Sequence, residues 1–215
     1  MITATLASCE GREESLKKTL ESLKPQVDKI LVYLNYDKKP DDDLATYYNG
    51  EDFADMGKFF FDVEGYHIVC DDDLTYPTDY VKYMLDMVDY YNTVVSCHGR
   101  IIKSPCDSYY KDGYDCKSCL RGFKGNSKIN VPGSGVMAYH TDVIKFTADK
   151  DYMYMADIYV GTMLQKANLG TMAIGHPSGW LTHNPIDYTK TIWAKFVNND
   201  KRQTDAINKI EWRVI

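Results

Sequence analysis

Residues 66–77 read YHIVCDDDLTYP. An apolar, strand-forming run, Tyr66–Cys70, passes directly into three carboxylates, Asp71, Asp72 and Asp73, and then into a turn. A short apolar run bounded by turn residues fits a strand buried on both faces. Three adjacent carboxylates repel one another, so a fold that clusters them at a strand end needs a countercharge. In open α/β sheets ligands bind beyond the carboxyl ends of strands. A divalent cation answers both requirements. Mg²⁺ or Mn²⁺ takes one or two carboxylates, fills its other positions with water and phosphate oxygens, and neutralises a diphosphate leaving group. The same tripeptide at Asp41–Asp43 follows KKP and has no strand before it; it reads as a solvated turn or a helix start.

The rest of the chain alternates strand and helix. Strands are expected at Ile2–Ala7, Lys29–Leu34, Tyr66–Cys70, Thr93–Cys97, Val136–Tyr139 and Thr171–Ile174. Helices are expected at Glu13–Leu23, where Leu16, Leu20 and Leu23 share a face, from near Pro77 with Met84, Leu85 and Val88 inward, and at Tyr154–Ala167. Tyr36–Asn49 is turn-rich. Residues 103–130 have no period and read as an excursion or lid, and the tail from about 186 is expected to be helical in part. This alternation predicts an α/β sheet with helices on its faces, in one domain over 1–215.

The 215 residues carry a net charge of −6, which disfavours non-specific polyanion binding. Lys103, Lys111, Lys117, Arg121, Lys124 and Lys128 nevertheless put six basic residues in the excursion. No apolar run approaches a membrane span, and the N-terminus does not read as a signal peptide. A soluble, cytoplasmic protein is expected (host cytoplasm if viral), with reduced thiols. Cys116-x-x-Cys119, with Cys97, His98 and Cys106 near it, matches no common zinc spacing. The 18 tyrosines suit sugar or base stacking as well as half-buried surfaces.

Other candidates follow the strands. Gly133 and Gly135 precede a strand, where glycine lets backbone approach a ligand. Asp157 stands in the first turn of its helix, as a dipole-stabilised acid or as a general base. His176 and His183 are late histidines that suit Mn²⁺, Trp180 can stack on a sugar or pack in the core, and His98 follows a strand. The loop SCEGREE carries neither a P-loop nor a dinucleotide fingerprint, and no nucleophile elbow is present.

Over residues 2–185 the chain resembles glycosyltransferases of the GT-A fold, closest to the family 2-like inverting enzymes. The blocks are TATLASCEGREESLKKTLESLKPQVDKILVYLN, ADMGKFFFDVEGYHIVCDDDLTYPTDYV and GSGVMAYH. The resemblance implies a GT-A-like (nucleotide-diphospho-sugar transferase) mixed central sheet flanked by helices. It implies transfer of a sugar, from a UDP-sugar in first place, to an acceptor hydroxyl, with Mn²⁺ or Mg²⁺. The acceptor is a saccharide or glycoconjugate, with a hydroxylated DNA base as a further possibility. Asp73, Asp71 and His183 would hold the metal and Asp157 would be the base. Ser8, Arg12, Asn35, Asp37, Lys58, Asp71, Asp72, Gly135 and Trp180 would border the donor. The family often has a Glu-Asp pair where this chain has Ala156-Asp157. A sugar-1-phosphate nucleotidyltransferase, which lacks support from a Gly-rich basic opening loop, and a non-catalytic nucleotide-sugar or glycan binder are the alternatives. Donor base, acceptor and oligomeric state stay open in the sequence.

Overall fold

The computed structural model describes residues 1–111 and 116–215. Its elements begin with β1 (Ile2–Ser8), α1 (Glu13–Leu23), β2 (Lys29–Leu34), β3 (Thr46–Asn49), β4 (Tyr66–Cys70), β5 (Leu74–Thr75) and α2 (Tyr80–Tyr91). Short strands follow: β6 (Val94–Ser96), β7 (Gly99–Arg100), β8 (Cys116–Lys117), β9 (Ser127–Ile129) and β10 (Val131–Pro132). The chain closes with β11 (Val136–His140), α3 (Ala156–Lys166), β12 (Thr171–Ala173), β13 (Thr182–His183), α4 (Ile192–Phe196) and α5 (Lys201–Asn208).

Eight strands form one mixed sheet in the order β3-β2-β1-β4-β11-β6-β12-β9. The four strands β1 to β4 run parallel, and β11 is antiparallel to both of its neighbours, β4 and β6. Helices on both faces of the sheet are what the alternation predicts, and its mixed character is what the family resemblance implies. Successive residues of the central strands face opposite sides. Ile68, Cys70, Val136 and Ala138 pack with Leu16 and Leu20 of α1 and Val81, Met84 and Val88 of α2. Val69, Met137 and Tyr139 pack on the other side with Tyr159, Val160 and Leu164 of α3. Burial on both faces is why these strands read as continuous apolar runs. Each buried Val, Leu, Ile or Met among them contributes roughly 1.5–3 kcal/mol.

Three boundaries differ from the sequence expectation. The turn-rich stretch ends in an edge strand, β3, paired with β2. Its residues, Thr46, Tyr47, Tyr48 and Asn49, are mostly exposed, so no apolar period announces it. The helix expected near Pro77 begins at Tyr80, after a turn in which Tyr80 N–H donates to the Pro77 carbonyl. The helix expected from Tyr154 begins at Ala156, because Tyr154 is left-handed (φ 65°) and cannot belong to it.

The excursion is anchored at its start. Ile102, Cys106 and Tyr109 form a small core with Ile158 and with Ile207 of α5. Asn208 bonds both the N–H and the carbonyl of Cys106, and Asp200 takes Ser108 Oγ and Tyr110 N–H. Residues 112–115, part of the expected lid, lie outside the described residues. Register positions the carboxylates. Cys70 is paired with Val136, so the next residue of the β4 strand, Asp71, emerges opposite Gly135.

Candidate active site

Each aspartate of residues 71–73 meets a different environment. Asp72 turns inward: Ser8 Oγ donates to its Oδ2 (2.6 Å) and Arg12 Nη1 to its Oδ1 (2.8 Å). Arg12 also donates to Asp73 Oδ2 (2.7 Å), so one guanidinium bridges two carboxylates. Asp71 pairs with the buried ammonium of Lys58 and keeps 43% of its side chain exposed. Its backbone N–H reaches the Gly135 carbonyl (3.1 Å) and Tyr76 Oη (2.9 Å), while Tyr76 Oη–H donates to the same carbonyl (2.6 Å). A Cβ at position 135 would overlap the Asp71 carboxylate, so only glycine lets the carboxylate lie there.

These surroundings separate the three acids. Burial pushes Asp72 up to about 6 despite Arg12. Burial and the neighbouring Asp71 raise Asp73. Burial opposes the charge on Asp71 too, yet the Lys58 ammonium holds it below the usual carboxylate range. Lys58 is raised in return: burial works against its charge, and Asp71, Asp55 and Asp157 together more than offset it. Two cations thus partly offset three acids before any ligand arrives.

Two cavities meet at this rim. One, of about 400 Å³, is lined by Ser8, Arg12, Asp72 and Lys58 on the sheet side and by Lys190 and Lys195 from the C-terminal segment. The other, of about 590 Å³, holds Gly135, His98, Asp157 and His183. Asp71, Asp73, Lys58 and Asp55 border both. Asp157, the second residue of α3, accepts the Ser134 N–H at Oδ1 (2.7 Å). Among the described residues, no other donor to its carboxylate is present. His98 packs on Gly133, and burial lowers its pKa. Tyr188 and Trp193, both about 60% exposed, stand on the outer rim, Tyr188 stacked on the His183 ring.

A divalent cation would have one carboxylate, shared with Arg12, and one imidazole to meet here. His183 Nε2 lies 3.6 Å from Asp73 Oδ2, and the other ring nitrogen sits 2.7 Å from the Asn184 carbonyl, the outer contact a ligating histidine commonly makes. Among the described residues, no three His, Cys, Asp or Glu side chains converge on one point. One carboxylate and one imidazole suit a hexacoordinate ion that keeps water and phosphate ligands. They do not make a closed structural site, and neither do the cysteines, all free thiols.

The structure brings Ser8, Arg12, Lys58, Asp71, Asp72, Asp73, Gly135, Asp157 and His183 to these two cavities. Asn35 reaches the smaller one, but its side chain is engaged with protein: the amide donates to the Ala54 carbonyl (2.9 Å) and the oxygen accepts Phe53 N–H (2.9 Å). Asp37 is exposed and lines neither cavity. Trp180 lies away from both, packed on Tyr80 and Tyr83, with its indole N–H on Asp79. His176 is buried near the Cys97 carbonyl. Sequence reasoning missed Asp55, Ser134, Lys190, Lys195 and Trp193. Asp55 and Ser134 left a trace, the first three residues before Lys58 in the ADMGKF block and the second between the glycines of GSGVMAYH.

No protein-family model matches this sequence, and no curated protein matches it. Among solved structures, S. aureus TarS 1-349 is 12% identical, with a TM-score of 0.42 over 74% of this chain. The chain spans 56% of that structure's length. The 4-diphosphocytidyl-2C-methyl-D-erythritol synthase of Anaerococcus prevotii DSM 20548 is 10% identical, with a TM-score of 0.39 over 94% of this chain and 86% of that one. Among the described residues, no helix is long and apolar enough to cross a membrane.

Proposed function

We propose that this chain is a metal-dependent, inverting glycosyltransferase of the GT-A type. It would move a sugar from a nucleoside diphosphate sugar, UDP-linked in first place, to a saccharide hydroxyl. One observation carries the reading. The cavity that carries Arg12, Lys190 and Lys195 and the cavity of Asp157 share Asp71 and Asp73 in their walls. A diphosphate on one side and an acceptor on the other would meet there.

Asp73 and His183, with Asp71 beside them, would hold Mn²⁺ or Mg²⁺, whose chemistry is to neutralise the departing diphosphate. Arg12, Lys190 and Lys195 would add fixed positive charge along the phosphates. Lys58 keeps Asp71 ionised and in place over Gly135. Asp157, tied at Oδ1, would offer Oδ2 to the acceptor hydroxyl. The hydroxyl oxygen bonds to C1 as its proton passes to Asp157, and the C1–O electron pair leaves with the diphosphate. The exposed rings of Tyr188 and Trp193 give an acceptor sugar two apolar faces to rest on. None of the six basic residues of the excursion lines either cavity, which favours a saccharide over DNA.

A panel of nucleotide sugars with Mn²⁺ tests the reading. Nucleoside diphosphate release with one donor is expected, and Asp157→Asn should lower sugar transfer by about 10²–10⁴-fold while donor binding persists. Release of pyrophosphate from a nucleoside triphosphate and a sugar 1-phosphate would replace this function with nucleotidyl transfer. Tight donor binding without turnover would make the protein a binding module.

A further inference from the structure

Asp55 and Lys58 stand three residues apart on the 3-10 helix Ala54–Phe59 that leads toward β4. Three residues make one turn of such a helix, so both side chains leave from one side. Lys58 reaches Asp71. Asp55 reaches the other catalytic wall. Its Oδ1 accepts the N–H of Tyr154 (2.6 Å) and its Oδ2 the N–H of Ala156 (3.0 Å). Tyr154 is left-handed, a conformation an aromatic residue keeps only when its surroundings hold it. Asp157 follows one residue after the second of these amides.

The contacts close into a ring. From Asp55 the path runs through Ala156 to Asp157, and from Asp157 Oδ1 to Ser134 N–H. Ser134 adjoins Gly135, which cradles Asp71, and Asp71 pairs with Lys58, one turn from Asp55. Both acids of the transfer reaction are members of this ring. Asp55 is assigned no chemistry of its own, yet it is a half-buried carboxylate at the wall of both cavities, held by two backbone amides. Burial pushes it up to about 6, with the two amide bonds and Lys58 pulling the other way.

We propose that Asp55 is a positioning residue: by gripping the amides of Tyr154 and Ala156 it fixes Asp157 relative to Asp71, and so sets the reach between acceptor base and donor. The kinetic consequence rests on the glycosyltransferase reading; the grip itself does not. A carboxylate suits the task because it presents two acceptors to two donors. Asparagine presents one acceptor and turns an NH₂ toward the second N–H.

Asp55→Asn should lower kcat for sugar transfer by about 100-fold, the scale of a 1 Å misplacement, with donor KM within about twofold. Added to Asp157→Asn, it should cost nothing further, because it acts through that base. Hydrogen exchange should find the Tyr154 and Ala156 amides protected in the wild type and at least about tenfold less so in the variant. A kcat loss under threefold, a loss carried by KM, a penalty that multiplies with Asp157→Asn, or unprotected wild-type amides would each overturn the proposal. Where Asp55→Asn does not fold, Asp55→Ser carries the same comparison. If the wild type transfers no sugar, the glycosyltransferase reading fails, and amide exchange alone decides whether Asp55 holds this turn.

Discussion

Asp41–Asp43 and Asp71–Asp73 are the same three residues in two places, and their fates diverge. The first set lies exposed on a bend before the edge strand β3. Asp42 Oδ1 accepts the Leu44 N–H (3.0 Å) and the Tyr47 hydroxyl (2.6 Å), which fixes the turn, and Lys24 Nζ donates to the Asp43 carbonyl (2.9 Å). The second set leaves a strand buried on both faces. Asp72 is drawn in against Ser8 and Arg12, Asp73 shares Arg12, and Asp71 lies between Lys58 and Gly135. Identical side chains therefore acquire chemistry from what precedes them. Water screens the first cluster. At the second, Asp72 and Asp73 are largely shut off from water, and Arg12 and Lys58 supply the countercharge.

The sharpest way to break this contrast is to truncate one acid in each cluster. Asp73→Ala should weaken Mn²⁺-dependent UDP binding by at least about 100-fold, read by calorimetry with and without the metal, as expected when a ligand group is lost. Asp43→Ala should leave it unchanged. Equal effects, or none from Asp73→Ala, would dissolve the functional difference between the clusters. Gly135→Ala comes next. Its Cβ must push the Asp71 carboxylate off its seat, which should destabilise the fold by roughly 1–3 kcal/mol and weaken donor binding. Unchanged thermal unfolding would mean that the carboxylate does not depend on this contact.

Much of this contrast is legible in the sequence. The strand Tyr66–Cys70 is apolar without alternation, so burial on both faces and a loop at the sheet's edge followed from pattern alone. Asp157 and His183 could be picked because one opens an expected helix and the other follows an apolar stretch, whereas Arg12 and Lys58 entered only through the family resemblance. Asp37 and Trp180 looked equally eligible, and the structure leaves them outside the cavities. An exposed turn and an aromatic cluster on α2 accommodate them, and neither is visible as spacing. Lys190, Lys195 and Trp193 were illegible for the opposite reason. They come from a polar tail with little apolar period, and only its path over the rim gives them a place. Strand β3 escaped because an edge strand exposed to solvent needs no apolar face.

A smaller effect separates buried from exposed acid by pH. Asp72 is raised from 3.8 to about 6 by burial. The folded chain therefore holds a proton there that the unfolded chain has released between these values. That contribution to stability is full below about 4 and is lost as pH rises through about 6. Metal-free protein should lose on the order of 2 kcal/mol from this group between pH 4 and 7. Asp72→Asn should flatten that part of the profile in thermal melts, and an unchanged slope would show that Asp72 is not the group responsible.

The smallest expected effect falls on the exposed cluster, and it sharpens the comparison from the other side. Asp42 is not idle: its carboxylate accepts two hydrogen bonds that hold the approach to β3. Asp42→Ala removes both while water replaces them at once, so the net loss should be near 0.5–1 kcal/mol, visible as a slight fall in the melting temperature. UDP binding and sugar transfer should stay at wild-type levels, because no residue of this bend lines either cavity. A clear loss of donor binding in Asp42→Ala would mean that β3 and its bend reach the site, and that exposure does not divide structural aspartates from functional ones in this chain.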